Sequence, residues 1–329
     1  MRPLQPSIIF LFSALFFIPQ FCIGQQEVEN HIRKRLEIKN GISPKSVVAS
    51  GNGLFAAQNM MYRHSVTFYD EDGNPLAKVK DAIDLNDYGV PNASGTYKGA
   101  PVEGVFTNDG HYLWISNYHM TGKGFENPGC DDCSGNEFDN SYLYKINTSN
   151  FEIESIVEVG SVPKYLALSA NEKWLLVSNW VSSDVSIIDV QTEQEIERLY
   201  VGSHPRGIAI ATDESTAFVT LMGSDKLAQI DLSSFEVSYT EKLGKAPRSV
   251  LFADKDSTLY VSLNNENKVV KYNRYSGEKQ YCATLAGPRS MIISPNEKYL
   301  YLVNYFDQSF SKISTDSMRV MAEIKTGDK

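Results

Sequence analysis

The sequence predicts an all-β fold, a β-propeller of four-stranded antiparallel blades. Three observations carry that prediction. A proline recurs at Pro44, Pro101, Pro163, Pro205, Pro247 and Pro288, at spacings of 57, 62, 42, 42 and 41 residues. Each period holds four short runs rich in Val, Ile, Leu and Tyr, separated by polar turns, the punctuation of strands. A four-stranded unit of 42 residues cannot bury both its faces alone. Radial stacking covers both and leaves only short edges. A run of sandwich domains would need about 100 residues each.

The unit Val162–Ser203 sets the pattern. Tyr165–Ser169 reads as strand a, Trp174–Asn179 as b, Val185–Asp189 as c and Glu195–Val201 as d. Polar turns such as Asn108-Asp109-Gly110 and Thr212-Asp213-Glu214 join a to b. An Asp or Asn closes strand c at Asp70, Asn147, Asp189, Asp231 and Asn273, where its side chain can bond the backbone two residues on. Strand b ends in Gln58-Asn59, Ser116-Asn117, Ser178-Asn179 and Val303-Asn304; units open Pro-Lys or Pro-Arg, and strands d often end Val-Gly. In these features about 280 residues resemble the YVTN-repeat, YncE-like propellers. The resemblance implies a propeller, in that family usually of seven blades, and names no activity. Leu221 and Leu263 replace the Asn in two units.

From the N-terminus, Met1–Gly24 reads as a cleaved signal peptide: Arg2, an apolar Ser7–Phe17, and small residues before Gln25. The apolar run, broken by Pro19, is shorter than the ~20 residues that span a bilayer. The mature chain, residues 25–329, is then one propeller domain, secreted or periplasmic, with no transmembrane segment, and expected to be a monomer. Asn30–Gly41 matches the end of a unit and is expected to be a spare, closing strand d. Six units supply 24 strands, so the count leaves a seventh blade truncated and the ring with a gap; a closed six-bladed ring with a loose N-terminal arm is the alternative. A net charge of −9 weighs against bulk nucleic-acid or anionic-membrane binding.

In an up-and-down blade the d–a and b–c connections share one face. Both long insertions fall there: the d–a stretch 85–100 and the b–c stretch Tyr118–Asn140. Long loops in a compact fold are functional or disordered. The residue after the unit-start proline is Lys45, Val102, Lys164, Arg206, Arg248 or Arg289. Strand a is innermost, so five cations should ring the channel mouth, with Glu103 neutralising part of the charge. Guanidinium forks suit carboxylate or phosphate oxygens; pairing with carbonyls or carboxylates of neighbouring blades is the structural alternative. Tyr118, Trp180 and Tyr305 follow strand b and either line a pocket or pack between blades.

The b–c insertion holds Cys130-Asp131-Asp132-Cys133. A local disulfide or free thiols is the first reading. A metal site drawing on His64, His119, Cys130, Asp131, Asp132, Cys133 and His204 is the second, weakened because zinc usually takes two such pairs and no EF-hand spacing exists. Cys282 reads as a packed strand residue and His111 as surface. No G-x-S-x-G, H-E-x-x-H, P-loop, dinucleotide fingerprint or CxxCH is present. The expected function is a binding module for an anionic small molecule, peptide or partner protein, with no cofactor predicted and a metal possible. One alternative is an enzyme, lactonase-like or quinoprotein-like, with a metal or cofactor over the channel. The other is single-stranded nucleic-acid binding, which the acidic total opposes.

Overall fold

The computed structural model describes residues 32–39, 41–61, 63–93 and 95–326. The expected signal peptide lies outside them. Six four-stranded antiparallel sheets follow one another as blades. Blade 1 comprises Ser46–Ala49, Phe55–Asn59, Ser65–Tyr69 and Pro75–Lys80; blade 2 Pro101–Phe106, Tyr112–Asn117, Ser141–Asn147 and Glu152–Val159. Blade 3 is Pro163–Leu168, Trp174–Asn179, Asp184–Asp189 and Gln194–Tyr200; blade 4 Pro205–Ile210, Thr216–Leu221, Leu227–Asp231 and Val237–Tyr239. Blade 5 is Pro247–Ala253, Thr258–Leu263, Lys268–Asn273 and Lys279–Ala283; blade 6 Pro288–Ile293, Tyr299–Asn304, Ser309–Ser314 and Arg319–Lys325. A 3-10 turn at Leu85–Tyr88 is the one helical element among the described residues, and no helix there is long and apolar enough to cross a membrane.

The turn chemistry is as expected. Asp189 Oδ1 accepts from Thr192 N at 2.8 Å, Asp231 Oδ1 from Ser233 N at 2.8 Å, and Asn273 Oδ1 from Tyr275 N at 3.0 Å. At the same end, carboxylates tie the a–b turns of blades 2 to 5 to the next blade. Glu214 takes Asn171 N at 2.7 Å, Asp256 takes Thr212 N at 2.7 Å, and Glu297 takes Asp254 N at 2.9 Å; Glu172 takes Asn108 N likewise.

The core lies between blades rather than at one centre. Leu176, Val185 and Ile187 of blade 3 meet Ile208, Val219 and Ile230 of blade 4. Equivalent clusters join blades 1 to 2, 2 to 3, 4 to 5 and 5 to 6. Each such fully buried side chain contributes about 2 kcal/mol. The innermost strands of successive blades pack from blade 1 through blade 6, but among the described residues blades 6 and 1 make no comparable contact. Their facing walls stay open: Val47 and Phe55 are 59% and 37% exposed on blade 1, Ile292 and Phe310 66% and 40% on blade 6.

The expected closing strand takes a different form. Ile32–Lys39 joins no sheet, and Arg319–Lys325 pairs only with Ser309–Ser314. The segment instead leans on blade 1, with Leu36 and Ile38 against Gly73 and Arg35 bonded to Asp72 at 3.0 Å. It lies at the c–d turn of blade 1, with Leu36 and Ile38 still exposed.

Candidate functional site

Every blade from 2 to 6 opens with a bulge. The a–b register slips just after the unit-start proline, for example between Pro163 and Tyr165, Pro205 and Ile208, and Pro247 and Ser249. A bulge takes a residue out of the ladder and re-aims its side chain. Here the residue released is the ring position. A hydroxyl near the end of strand b fills the gap: Thr220 Oγ1 accepts from Gly207 N at 2.7 Å, Ser178 Oγ from Tyr165 N at 3.2 Å, and Ser262 Oγ from Ser249 N at 3.0 Å.

These three hydroxyls, and that of Ser116 in blade 2, donate onward. Ser116 reaches Lys164 O at 3.4 Å, Ser178 reaches Arg206 O at 2.7 Å, Thr220 reaches Arg248 O at 3.0 Å and Ser262 reaches Arg289 O at 2.9 Å. Four of the five ring cations, Lys45 excepted, are thus held at their carbonyls by the preceding blade. Gly207 permits the close approach: a Cβ there would stand 2.8 Å from Arg248 O. These four hydroxyls escaped sequence reading, where Ser-Asn counted only as a repeat mark. The available signal was a Ser or Thr recurring fourteen residues after the ring position in blades 2 to 5, at Ser116, Ser178, Thr220 and Ser262.

The ring side chains converge, since each feels the charge of its fellows. They do not share one environment. Lys164, buried, bonds Asp131 Oδ1 at 2.6 Å and lies 4.2 Å over the Tyr118 ring. Burial, and then Arg206, push its ammonium down to about 7, against the pull of Asp131. Arg206, also buried, bonds Glu103 Oε1 at 2.8 Å, yet its Nη1 has no partner. Among the described residues Arg248 bonds the Met222 thioether, Nη1 to Sδ 3.3 Å, and no carboxylate. Burial, then Arg206 and Arg289, push its pKa well down. A guanidinium keeps its proton nonetheless, so the unfavourable charge remains in place. Arg289 stacks 3.4 Å over the Tyr305 ring, and its Nε is unpartnered. Lys45 is exposed, and its pKa is lowered first by burial and then by Arg206. Five cations therefore face two carboxylates, Glu103 and Asp131.

The insertions meet on this face. Lys98 of the d–a stretch bridges Thr121 of the b–c stretch, and the Tyr97 and Phe125 rings pack edge to face at 5.8 Å. Cys130 and Cys133 are disulfide-bonded. That closed turn holds Asp131 at the mouth, where Tyr118 Oη donates to Oδ1 at 3.1 Å and Trp180 Nε1 to the main-chain oxygen at 2.9 Å.

The proposed metal residues do not converge: among the described residues no three His, Cys, Asp or Glu side chains form a metal-holding group. The disulfide takes both sulfurs, Asp131 faces Lys164, and Asp132 is exposed. His204 stacks on Trp180 with ring centroids 4.5 Å apart. His64 Nδ1 contacts Gly99 O at 2.8 Å and the buried Asp81 at 3.3 Å. Burial raises the Asp81 carboxyl to about 6 against the pull of His64. Burial, then His64, lower the pKa of His119. His111 is exposed beside Asp109, and Cys282 is a buried free thiol.

Fold and site together define a β-propeller with a basic, aromatic-lined channel mouth. No family model and no curated protein sequence matches the chain. Solved structures do. A chain of Kuenenia stuttgartiensis hydrazine synthase aligns at TM-score 0.64 and 16% identity, over 87% of this chain and 81% of that one. Virginiamycin B lyase from Staphylococcus aureus aligns at 0.62 and 12%, over 86% and 84%. A functionally unknown protein from Desulfotomaculum acetoxidans aligns at 0.65 and 12%, over 87% of each. At these identities the likeness is one of fold.

Proposed function

We propose that this chain is a binding propeller that takes an anionic ligand at the channel mouth, among Lys45, Lys164, Arg206, Arg248 and Arg289. One observation carries the reading. Arg248 lies between Arg206 and Arg289 with a thioether as its hydrogen-bond partner, while Arg206 Nη1 and Arg289 Nε also stand unpartnered. Buried charges are ordinarily paired, and an unmatched cluster of guanidinium donors is what an incoming anion would satisfy. The YVTN-like repeat and the secreted or periplasmic location read from the N-terminus fit such a module, in monomeric form.

The test is isothermal titration of the protein with pyrophosphate and with citrate, beside the Arg248→Ala/Arg289→Ala double variant. Micromolar binding that the double variant loses, with its melting temperature kept, supports the reading. No binding of either anion by the wild type overturns it.

An enzymatic reading has one observation of its own. His64 Nδ1 is held by Gly99 O at 2.8 Å with the buried Asp81 carboxylate 3.3 Å away, an arrangement that fixes one imidazole nitrogen and leaves the other for chemistry. Two of the similar structures are enzymes by name. Elemental analysis of the unstripped protein tests it: a stoichiometric metal lost in His64→Ala would favour that alternative.

A further inference from the structure

One station of the mouth already has a carboxylate in it. Asp131 Oδ1 accepts from Lys164 Nζ at 2.6 Å and from Tyr118 Oη at 3.1 Å. Its backbone is pinned twice, by the Cys130–Cys133 bond and by Trp180 Nε1 on its carbonyl. Its side chain is not: it is 64% exposed, against 14% for Glu103, the other acid of the mouth. Glu103 is enclosed with Arg206 and is part of the wall. Asp131 enters from the solvent side and can leave by rotation of its side chain alone, with no backbone movement.

We infer that Asp131 is a built-in occupant of the anion site, held over Lys164 by the disulfide-closed turn, and that the ligand of this site is a polycarboxylate that displaces it. The inference rests on the anion-binding reading above. The class follows from the stations. The Lys164–Tyr118 pair presents two donors to one carboxylate oxygen, and its occupant is a carboxylate. Arg248 and Arg289 supply planar forks with no acid of their own, and such forks receive carboxylates two oxygens at a time. A molecule with two or more carboxylates bridges the stations: one group takes the place of Asp131, another meets the free guanidinium groups. A small polyacid and a run of acidic side chains share this chemistry. Until displaced, Asp131 lowers the affinity of every anion by repulsion and by occupancy.

The test is calorimetric titration of the full chain and of Asp131→Asn with citrate, triglutamate and pyrophosphate. Citrate or triglutamate should bind the variant about tenfold more tightly than the wild type, as expected when one like charge leaves a desolvated site. The probe with the larger gain shows which source the site suits. Equal or weaker binding of both by Asp131→Asn overturns the inference. Pyrophosphate binding without citrate or triglutamate binding overturns the polycarboxylate class while leaving the anion site standing. No binding of any probe by either protein means that the anion site itself is wrong. A second measurement uses the wild type alone, so it does not depend on the variant folding. The carboxyl carbon resonance of Asp131 should move as citrate saturates the protein, and a stationary resonance at saturation overturns the displacement.

Discussion

Lys164 and Arg206 each stand against a carboxylate, whereas Arg248 and Arg289 stand against a thioether and a phenol ring. All four occupy the same place in the repeat, behind the same proline, with the same hydroxyl on their carbonyl. The backbone therefore does not distinguish them; the partners do. Blade 2 supplies both acids, Glu103 from its strand a and Asp131 from its b–c insertion. The ring is consequently compensated on one side and left charged on the other. An unmatched charge inside a fold costs stability, so the uncompensated side is where a reason other than folding is required.

The largest expected effect tests that division. Arg248→Ala should weaken citrate or pyrophosphate binding by about a hundredfold, yet leave the melting temperature unchanged or raised, because it removes repulsion. On the paired side the order should invert. Arg206→Ala leaves Glu103 buried without its cation and should cost about 3 kcal/mol of stability in urea unfolding. If both substitutions destabilise equally, the two sides are alike and the comparison fails.

A smaller effect comes from protonation. An anion favours the charged form of Lys164, whose pKa is held down to about 7 by burial and Arg206. Anion affinity should be greatest below that pH and fall as pH rises through it, over about pH 6 to 8. Lys164→Arg should flatten this profile in titrations at matched ionic strength. Away from the mouth, Asp81 holds its proton to about 6, above its unfolded value. The folded state then binds more protons than the unfolded between those values, so this group makes stability decline as pH rises from about 4 to 6. Asp81→Asn should remove that slope from a melting series. Smallest of all, Thr220→Val deletes the hydroxyl that holds Arg248 O. It should cost about 1 kcal/mol and lower anion affinity two- to threefold, about what one neutral hydrogen bond contributes.

The period and the turn residues gave the blades away, since strands, turns and the ring position all recur at short range in the chain. The five cations and the shared face of the two insertions were legible for the same reason. What compensates each cation was not. Asp131 meets Lys164 across 33 residues, and Glu103 meets Arg206 across 103. No local pattern encodes such pairs; they arise when blades 2, 3 and 4 close around one axis. Ser178 shows the same limit, for its hydroxyl acts on Arg206 of the following blade rather than on its own turn. The N-terminal segment shows the reverse. Its sequence reads as a strand, but a strand exists only where an edge pairs with it.

The open walls of blades 1 and 6 bear on the mouth in a way that a sealed ring would not. Lys45 belongs to one end of the arc and Arg289 to the other, and each lies within electrostatic reach of the other's charge. With no interblade core between those ends among the described residues, like charges push against a join that little else there secures. An anion lodged between them reverses the sign of that force. It would serve as the clasp of a necklace whose beads are already strung, and its arrival should be felt first at the two end blades, as slowed amide exchange in Ser46–Ala49 and Pro288–Ile293.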